Sequence, residues 1–335
     1  MIGIIGAGAM GGAMAIQLAR AGNDVTLLAT EFDAPFIDAH RAGEPHPALG
    51  VRMPEATRIV QKDDWPDVLP QMDVLVLAVA TVGLVSTVQA CAPYVSGREI
   101  WAVVTKGWDE GSRRSAHGVV VAAVGDAGRV VAVIGPSIAK EIAEGVPTAV
   151  VCASEGREAA AEVAKLLDSP FFRTFTSDDV AGVEVGAIMK NVIAIGIGMC
   201  DGLRDDFGVP AMTNAKAFVF SRGLVEMARM ARAFGGRAET ILGLGGAGDL
   251  FVTALAGRNG MFGRLLGQGK TPDEALAEMN TTVEGYVNAK TAREIARERS
   301  LELPVVDEVA AVLYDGLAPR EAIARLLSPS AEEEF

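Results

Sequence analysis

Along the first half of the chain, short apolar runs alternate with segments of helical period. Runs at 2–5, 24–28, 73–80, 100–105, 130–134, 148–152 and 171–175 are rich in Val, Ile, Ala and Leu and predict strands. Several are near-continuous rather than alternating in and out, the pattern of strands covered on both faces. Between them, 10–21, 83–91 and 158–167 carry helical spacing. This alternation predicts a doubly wound α/β domain over 1–178. Beyond residue 177 the strand signal fades, and 179–335 predicts an all-α domain. Its helices are expected at 179–200, 214–234, 261–267, 271–279, 285–299, 304–314 and 319–327, with Pro272 and Pro319 in first turns. The acidic tail from Ser328 is expected to fray.

The 335 residues suit roughly two domains at about 150 residues each. Lys and Arg number 30 against 43 Asp and Glu, a net charge of −13. Nucleic acid and anionic membranes are polyanions, so neither is an expected partner. Cys91, Cys152 and Cys200 lie far apart without CxxC spacing, which fits free thiols in a reducing compartment and no metal site. His40, His46 and His117 are equally unclustered. Met1 leads directly into an apolar run without a basic leader, and the longest apolar stretch, 192–200, is too short for a bilayer. The expectation is a soluble cytoplasmic protein without membrane insertion.

Gly6-Ala7-Gly8-Ala9-Met10-Gly11 follows an expected strand and opens an expected helix. Gly6, Gly8 and Gly11 permit the tight turn, the approach of backbone to a pyrophosphate and close helix–strand packing, while Ala9 and Met10 lie at the helix N-terminus. Glu31, 20 residues beyond Gly11, is placed to accept from a ribose 2′-hydroxyl. That carboxylate leans toward NAD, whereas Thr30 and nearby Arg41 suit the 2′-phosphate of NADP, so both cofactors stay open. A second match, Gly243-Leu244-Gly245-Gly246-Ala247-Gly248, follows a helical segment and has Gln268 where the acid belongs, so it is not expected to hold a dinucleotide. Gly269-Lys270-Thr271 lacks the upstream glycine of a P-loop and reads as a helix end.

Two lysines stand out. Lys106 ends a strand run, where open α/β sheets bind ligands; the competing reading is a solvated loop lysine. Lys190 lies in a helix apolar around most of its circumference, where burial disfavours its charged form. Such a group suits proton transfer to a carbonyl oxygen; the alternative is a structural ion pair with Glu184 or another acid. Arg258 and Asn259 offer donors matched to a phosphate monoester, though Arg-Asn-Gly is also good turn chemistry. Asp249 is suited to orienting a lysine or a substrate hydroxyl.

In order along the chain, Gly6-Ala7-Gly8-Ala9-Met10-Gly11, Thr105-Lys106-Gly107, Gly135-Pro136-Ser137-Ile138-Ala139-Lys140-Glu141, Met189-Lys190-Asn191, Gly248-Asp249-Leu250 with Thr253, Gly257-Arg258-Asn259 and Val283-Glu284-Gly285 resemble the NAD(P)-dependent sn-glycerol-3-phosphate dehydrogenases. The resemblance spans residues 1 to about 315. It implies a Rossmann domain plus a helical substrate-binding and catalytic domain, similar to 6-phosphogluconate dehydrogenase. It also implies reversible reduction of dihydroxyacetone phosphate, a phosphorylated triose, to sn-glycerol 3-phosphate, the glycerol backbone of phospholipids. By the same resemblance Lys190, Lys106 and Asp249 are catalytic. Substrate would meet Lys106, Gly135, Ser137, Lys190, Asp249, Thr253, Gly257, Arg258 and Asn259. Cofactor would meet Gly6, Gly8, Ala9, Met10, Gly11, Thr30, Glu31, Lys106, Ala139, Arg258 and Glu284. Met10 departs from an aromatic residue common in the family and Gly257 from a common Ser, while residues 30–33 and 40–43 look closer to an archaeal-type branch. The helical domain offers surface for a homodimer. Alternatives are a ketopantoate reductase or related β-hydroxyacid-type dehydrogenase, which needs no Arg258–Asn259 phosphate pair, and a non-enzymatic NAD(H) sensor, which needs neither Lys190 nor Arg258.

Overall fold

A computed structural model describes residues 1–204, 206–209 and 211–328. The expected frayed tail lies, from 329 onward, outside the described residues. The chain divides into two compact units, Met1–Glu184 and Val185–Phe335.

The apolar runs of the first unit become strands β1 (Ile2–Ile5), β2 (Val25–Leu28), β3 (Arg58–Val60), β4 (Val74–Leu77), β5 (Ile100–Val103), β6 (Val130–Ile134), β7 (Thr148–Ala153) and β8 (Phe172–Ser177). They form one sheet in the order β3-β2-β1-β4-β5-β6-β7-β8. Pairing is parallel from β3 to β6 and again between β7 and β8, but β6 and β7 run antiparallel. Successive side chains alternate between two apolar faces. Ile4, Leu27, Val76 and Ala102 join one core cluster, and Ile5, Leu28, Leu77 and Val103 the other. Burial on both faces is why these strands lack a polar alternation.

The helices are α1 (Ala9–Arg20), α2 (Ala34–Arg41), α3 (Trp65–Val68), α4 (Thr81–Cys91), α5 (Ala116–Val124), α6 (Ala139–Glu144) and α7 (Arg157–Leu167). Ser115 caps α5 by accepting from the Gly118 N–H at 3.2 Å. The apolar run 73–80 stops being strand at Leu77, because β4 must release the chain into the turn before α4.

Helix α8 (Val180–Gly202) carries the chain into the second unit. Asp179 caps it, accepting from the Gly182 N–H at 3.0 Å. At 23 residues, α8 is long and apolar enough to cross a membrane by length and composition, as is the segment Ala238–Ala256, which corrects the reading of a 192–200 stretch too short to span. Within α8's apolar window, 89% is buried inside the protein, which accounts for the apolar circumference; the share is 33% for Ala238–Ala256.

There follow α9 (Thr213–Ala233), α10 (Ala238–Ile241), a π-helical turn (Leu244–Gly248), α11 (Asp249–Ala256), α12 (Arg258–Gly267), α13 (Pro272–Met279), α14 (Glu284–Glu298), α15 (Pro304–Tyr314) and α16 (Pro319–Leu326). Thr271 and Glu274 form a capping box on α13, so Gly269-Lys270-Thr271 is the helix end it was read to be.

Helices α8 and α12 approach almost backbone to backbone. A Cβ on Gly198 would fall 2.1 Å from the Gly260 carbonyl oxygen, and one on Gly263 would fall 2.1 Å from that of Ile195. Overpacking a well-packed core costs about 1–3 kcal/mol, and here the obstacle is backbone. Gly263→Ala is therefore expected to lower the unfolding free energy by at least that amount, read as a lower urea midpoint; an unchanged midpoint would show that the two helices do not meet so closely.

Candidate functional site

In the first unit, candidate residues gather where the parallel strands end. Gly6, at φ +96°, turns the chain out of β1, and a Cβ on Gly11 would fall 1.9 Å from the Gly6 carbonyl oxygen. Gly8 is exposed, and a Cβ there would meet nothing within 4 Å. It starts α1 without a side-chain cap, which leaves the first-turn N–H groups of Ala9 and Met10 for an anion. This open glycine cradle at a helix N-terminus fits the pyrophosphate of a dinucleotide. His46 braces the turn from below. The Ala48 N–H donates to its Nδ1 at 3.1 Å, so its Nε2 carries the proton and donates to the Ala7 carbonyl at 2.9 Å.

Glu31 lies beyond the end of β2 and is exposed. Its own backbone and the Lys62 ammonium, 2.9 Å away, hold its carboxyl below the ordinary range. The Thr30 hydroxyl donates to Asp33 at 2.8 Å. Further along the sheet edge, Lys106 follows β5 and donates from Nζ to the Gly135 carbonyl at 3.3 Å, while the Ser137 hydroxyl donates to the same oxygen at 2.9 Å. Gly135 sits at φ +155°, where a Cβ would press on the Ala149 carbonyl at 2.8 Å. Lys106, Gly135 and Ser137 are thus brought together, and Ala139 begins α6 just beyond them.

In the second unit, the buried Lys190 Nζ donates to Asp249 Oδ1 at 2.5 Å, with the two side chains 7% and 2% exposed. The acid paired with Lys190 is therefore Asp249. Glu184 instead accepts from the His117 N–H at 3.1 Å in the first unit; burial pushes its carboxyl up, against pulls from His117, Ser115 and Lys106. Thr253 folds back on its own helix, donating to the Asp249 carbonyl at 2.7 Å.

Asn259 is buried, and its side chain is a brace rather than an open donor. Its Nδ2 donates to Asn191 Oδ1 at 2.8 Å, and its Oδ1 accepts from the Gly285 N–H at 2.8 Å. The Asn191 amide in turn donates to Glu284 at 3.1 Å. Asn191 had no assigned part in the sequence, though an amide in an apolar helix signals a buried partner. Arg258 is half exposed at the start of α12, with Nη1 3.2 Å from the Thr281 hydroxyl and Nη2 4.0 Å from Glu284. Gly257 caps that helix without a side chain; a Cβ there would fall 2.4 Å from the Thr253 carbonyl oxygen. Arg258 and the first-turn N–H groups of α12, that of Asn259 included, lie together at a helix N-terminus, an arrangement suited to an anion.

The second glycine match has a packing role. A Cβ on Gly186 would fall 2.4 Å from the Gly245 carbonyl, so the π-helical turn lies directly on α8 and delivers Asp249 to Lys190. Among the described residues, no group of three or more His, Cys, Asp and Glu could hold a metal.

A glycine cradle on a doubly wound sheet, with a buried lysine–carboxylate pair in a helical unit, places the chain among the dinucleotide-binding α/β oxidoreductases. The N-terminus of NAD-dependent glycerol-3-phosphate dehydrogenase matches residues 1–160, and its C-terminus matches 179–324. A glycerol-3-phosphate dehydrogenase [NAD(P)+] of Halorhodospira halophila is 35% identical over 100% of this chain and 98% of its own. An NADP(+)-dependent glycerol-3-phosphate dehydrogenase of Archaeoglobus fulgidus is 33% identical over 97% and 98%. The crystal structure of a Coxiella burnetii glycerol-3-phosphate dehydrogenase superposes with a TM-score of 0.86 at 32% identity, covering 98% of each chain. The chain belongs to the NAD-dependent glycerol-3-phosphate dehydrogenase family. Bacterial and archaeal relatives match at similar identity, so the archaeal-type segments do not set its branch. The alternative is a distant neighbour: a ketopantoate reductase from Ralstonia eutropha shares the fold alone, at 15% identity and a TM-score of 0.59.

If Asn259 braces α12 as described, Asn259→Ala leaves the buried Gly285 N–H without its acceptor. The expected loss of stability is about 1–3 kcal/mol, read by thermal unfolding of the ligand-free protein. A residue serving substrate alone would leave that transition where it was.

Proposed function

We propose that the chain interconverts dihydroxyacetone phosphate and sn-glycerol 3-phosphate with NAD or NADP, and that Lys190 carries the proton. The observation behind this reading is the way α8 and α12 are held. Lys190 is next to Asn191, Arg258 is next to Asn259, and the two asparagines are hydrogen-bonded at 2.8 Å. A proton-bearing group and an anion-binding group are thereby set in fixed register, as a short phosphorylated ketone requires.

When bound, the nicotinamide supplies the hydride in reduction and takes it in oxidation. In reduction, Lys190 Nζ passes its proton to the substrate oxygen that becomes the hydroxyl; in oxidation it takes that proton back. Asp249 orients Nζ and compensates its charge in a buried position. Arg258 and the N-terminus of α12 bind the phosphate, spending remote binding energy on orientation. Lys106, steadied on the Gly135 carbonyl beside Ser137, holds the substrate oxygen as charge develops on it. Thr253 and Gly257 line the substrate position, and Ala139 and Glu284 approach the cofactor.

The product supplies the glycerol backbone of phospholipids, and we place the reaction in the cytoplasm. Three buried free cysteines support that location, burial pushing each thiol up to about 12 and keeping it protonated. A homodimer through the helical unit is part of the same reading, supported by exposed Leu242, Phe251 and Leu255.

Purified protein is expected to oxidise NADH or NADPH with dihydroxyacetone phosphate, and not with ketopantoate. Turnover on ketopantoate alone would transfer the assignment to the reductase, and binding of NADH without turnover on either would favour a sensor. Arg258→Ala removes a charge-assisted contact of about 1.5–3 kcal/mol, so kcat/KM should fall roughly ten- to 150-fold. Near-normal efficiency on the phosphorylated substrate would remove Arg258 from the phosphate.

A further inference from the structure

Strands β2 and β3 are paired in parallel, with Leu28 opposite Val60, so the segments leaving them emerge side by side. Glu31 comes three residues after Leu28 and Lys62 two after Val60. The Lys62 ammonium donates to both oxygens of Glu31, at 3.1 and 2.9 Å, and lies 5.9 Å from the centre of the Trp65 ring. Both side chains are about half exposed, 45% for Lys62 and 56% for Glu31. Glu31 is the acid in position for the ribose 2′-hydroxyl. An unpaired carboxylate there repels a 2′-phosphate; one bridged by an ammonium does not. Thr30, the residue first suited to that phosphate, already gives its hydroxyl to Asp33, which also accepts from the Thr30 N–H at 2.7 Å.

We propose that Lys62 is the residue that admits NADP(H), by neutralising Glu31 and donating to the 2′-phosphate, while Glu31 itself reads the 2′-hydroxyl of NAD(H). The proposal rests on the reading of residues 6–11 as a dinucleotide cradle and goes one step further, to the residue that sets cofactor choice. The Lys62 ammonium has three N–H donors and is half exposed, so it can keep Glu31 and donate to a phosphate oxygen as well, at small cost in an exposed pair. The same ammonium thus serves both states. In one it orients Glu31 toward a hydroxyl, and in the other it bridges Glu31 and the phosphate, its ammonium 5.9 Å from the centre of the Trp65 ring.

The test is calorimetric titration of the whole chain with 2′,5′-ADP, 5′-AMP, NADPH and NADH. Wild type is compared with Lys62→Ala, Lys62→Arg and Glu31→Gln. Losing a charge-assisted contact should weaken 2′,5′-ADP and NADPH about ten- to 100-fold in Lys62→Ala, with 5′-AMP and NADH within about twofold. Lys62→Arg should restore most of the loss, and the loss should shrink at high salt as screening grows. Glu31→Gln should weaken NADH more than NADPH. Equal weakening of NADH and NADPH in Lys62→Ala, or no weakening of either, overturns the proposal. So does a wild type that binds 2′,5′-ADP no better than 5′-AMP. A wild type that binds none of the four probes overturns the cradle reading as well, and so is told apart from a failure of Lys62 alone.

Discussion

A lysine and an aspartate share a 2.5 Å hydrogen bond with almost no access to water, and much of the helical unit is arranged around that fact. Neither charge is tolerated alone in such a place; removing one partner of a buried pair typically costs about 3–5 kcal/mol. Lys190 is fixed on α8, whose neighbours Met189, Ile193 and Ala194 are fully buried. Asp249 must therefore be brought to it. The π-helical turn Leu244–Gly248 does so by lying against α8 at Gly186, where any side chain would collide with the Gly245 carbonyl. Asp249 then begins α11, where the helix N-terminus also favours a carboxylate.

The second constraint is the contact of α8 with α12. Gly198, Gly202, Gly263 and Gly267 let the two backbones meet where side chains would hold them apart. That closeness brings Asn191 within 2.8 Å of Asn259, and Asn259 ties on to the first turn of α14 through the Gly285 N–H. The bonds linking Asn191 to Asn259 and Asn259 to Gly285 are buried and that of Asn191 to Glu284 is partly so, and satisfied polar networks of this kind are rigid. Chemistry on a three-carbon phosphate benefits, since the distance from phosphate to reacting carbon is short and leaves little room for error.

Much of this was legible in the residues. The glycine turn could be read because its strand, helix and acid stand in order, and the buried central strands because apolar burial on two faces leaves continuous runs. β3 escaped notice: it is three residues long, sits at the sheet edge and begins with an exposed Arg58. The antiparallel pairing of β6 with β7 escaped as well, since an apolar run carries no mark of direction. Lys190 was visible as a charge out of place and Asp249 as an acid suited to orienting a lysine, but only the packing joins them, because Asp249 is 59 residues away and Glu184 was nearer in sequence. Arg-Asn-Gly at 258–260 promised two donors. Only the packing shows Arg258 left half exposed while Asn259 is spent on Asn191 and Gly285. Lys62 was invisible for the same reason, lying 31 residues from Glu31 just beyond a strand too short to announce itself.

The central claim is that Lys190, ionised by Asp249, delivers the proton. The most direct measurement is the pH dependence of kcat for dihydroxyacetone phosphate reduction in wild type and Asp249→Asn, with thermal unfolding run beside it to confirm that the variant folds. Without the carboxylate, burial acts unopposed against the ammonium. The alkaline fall in rate should then begin at a lower pH in the variant, while its maximum on the acid side is partly retained. Two profiles that fall at the same pH, differing only in height, would contradict the account and leave Lys190 and Asp249 as a structural pair.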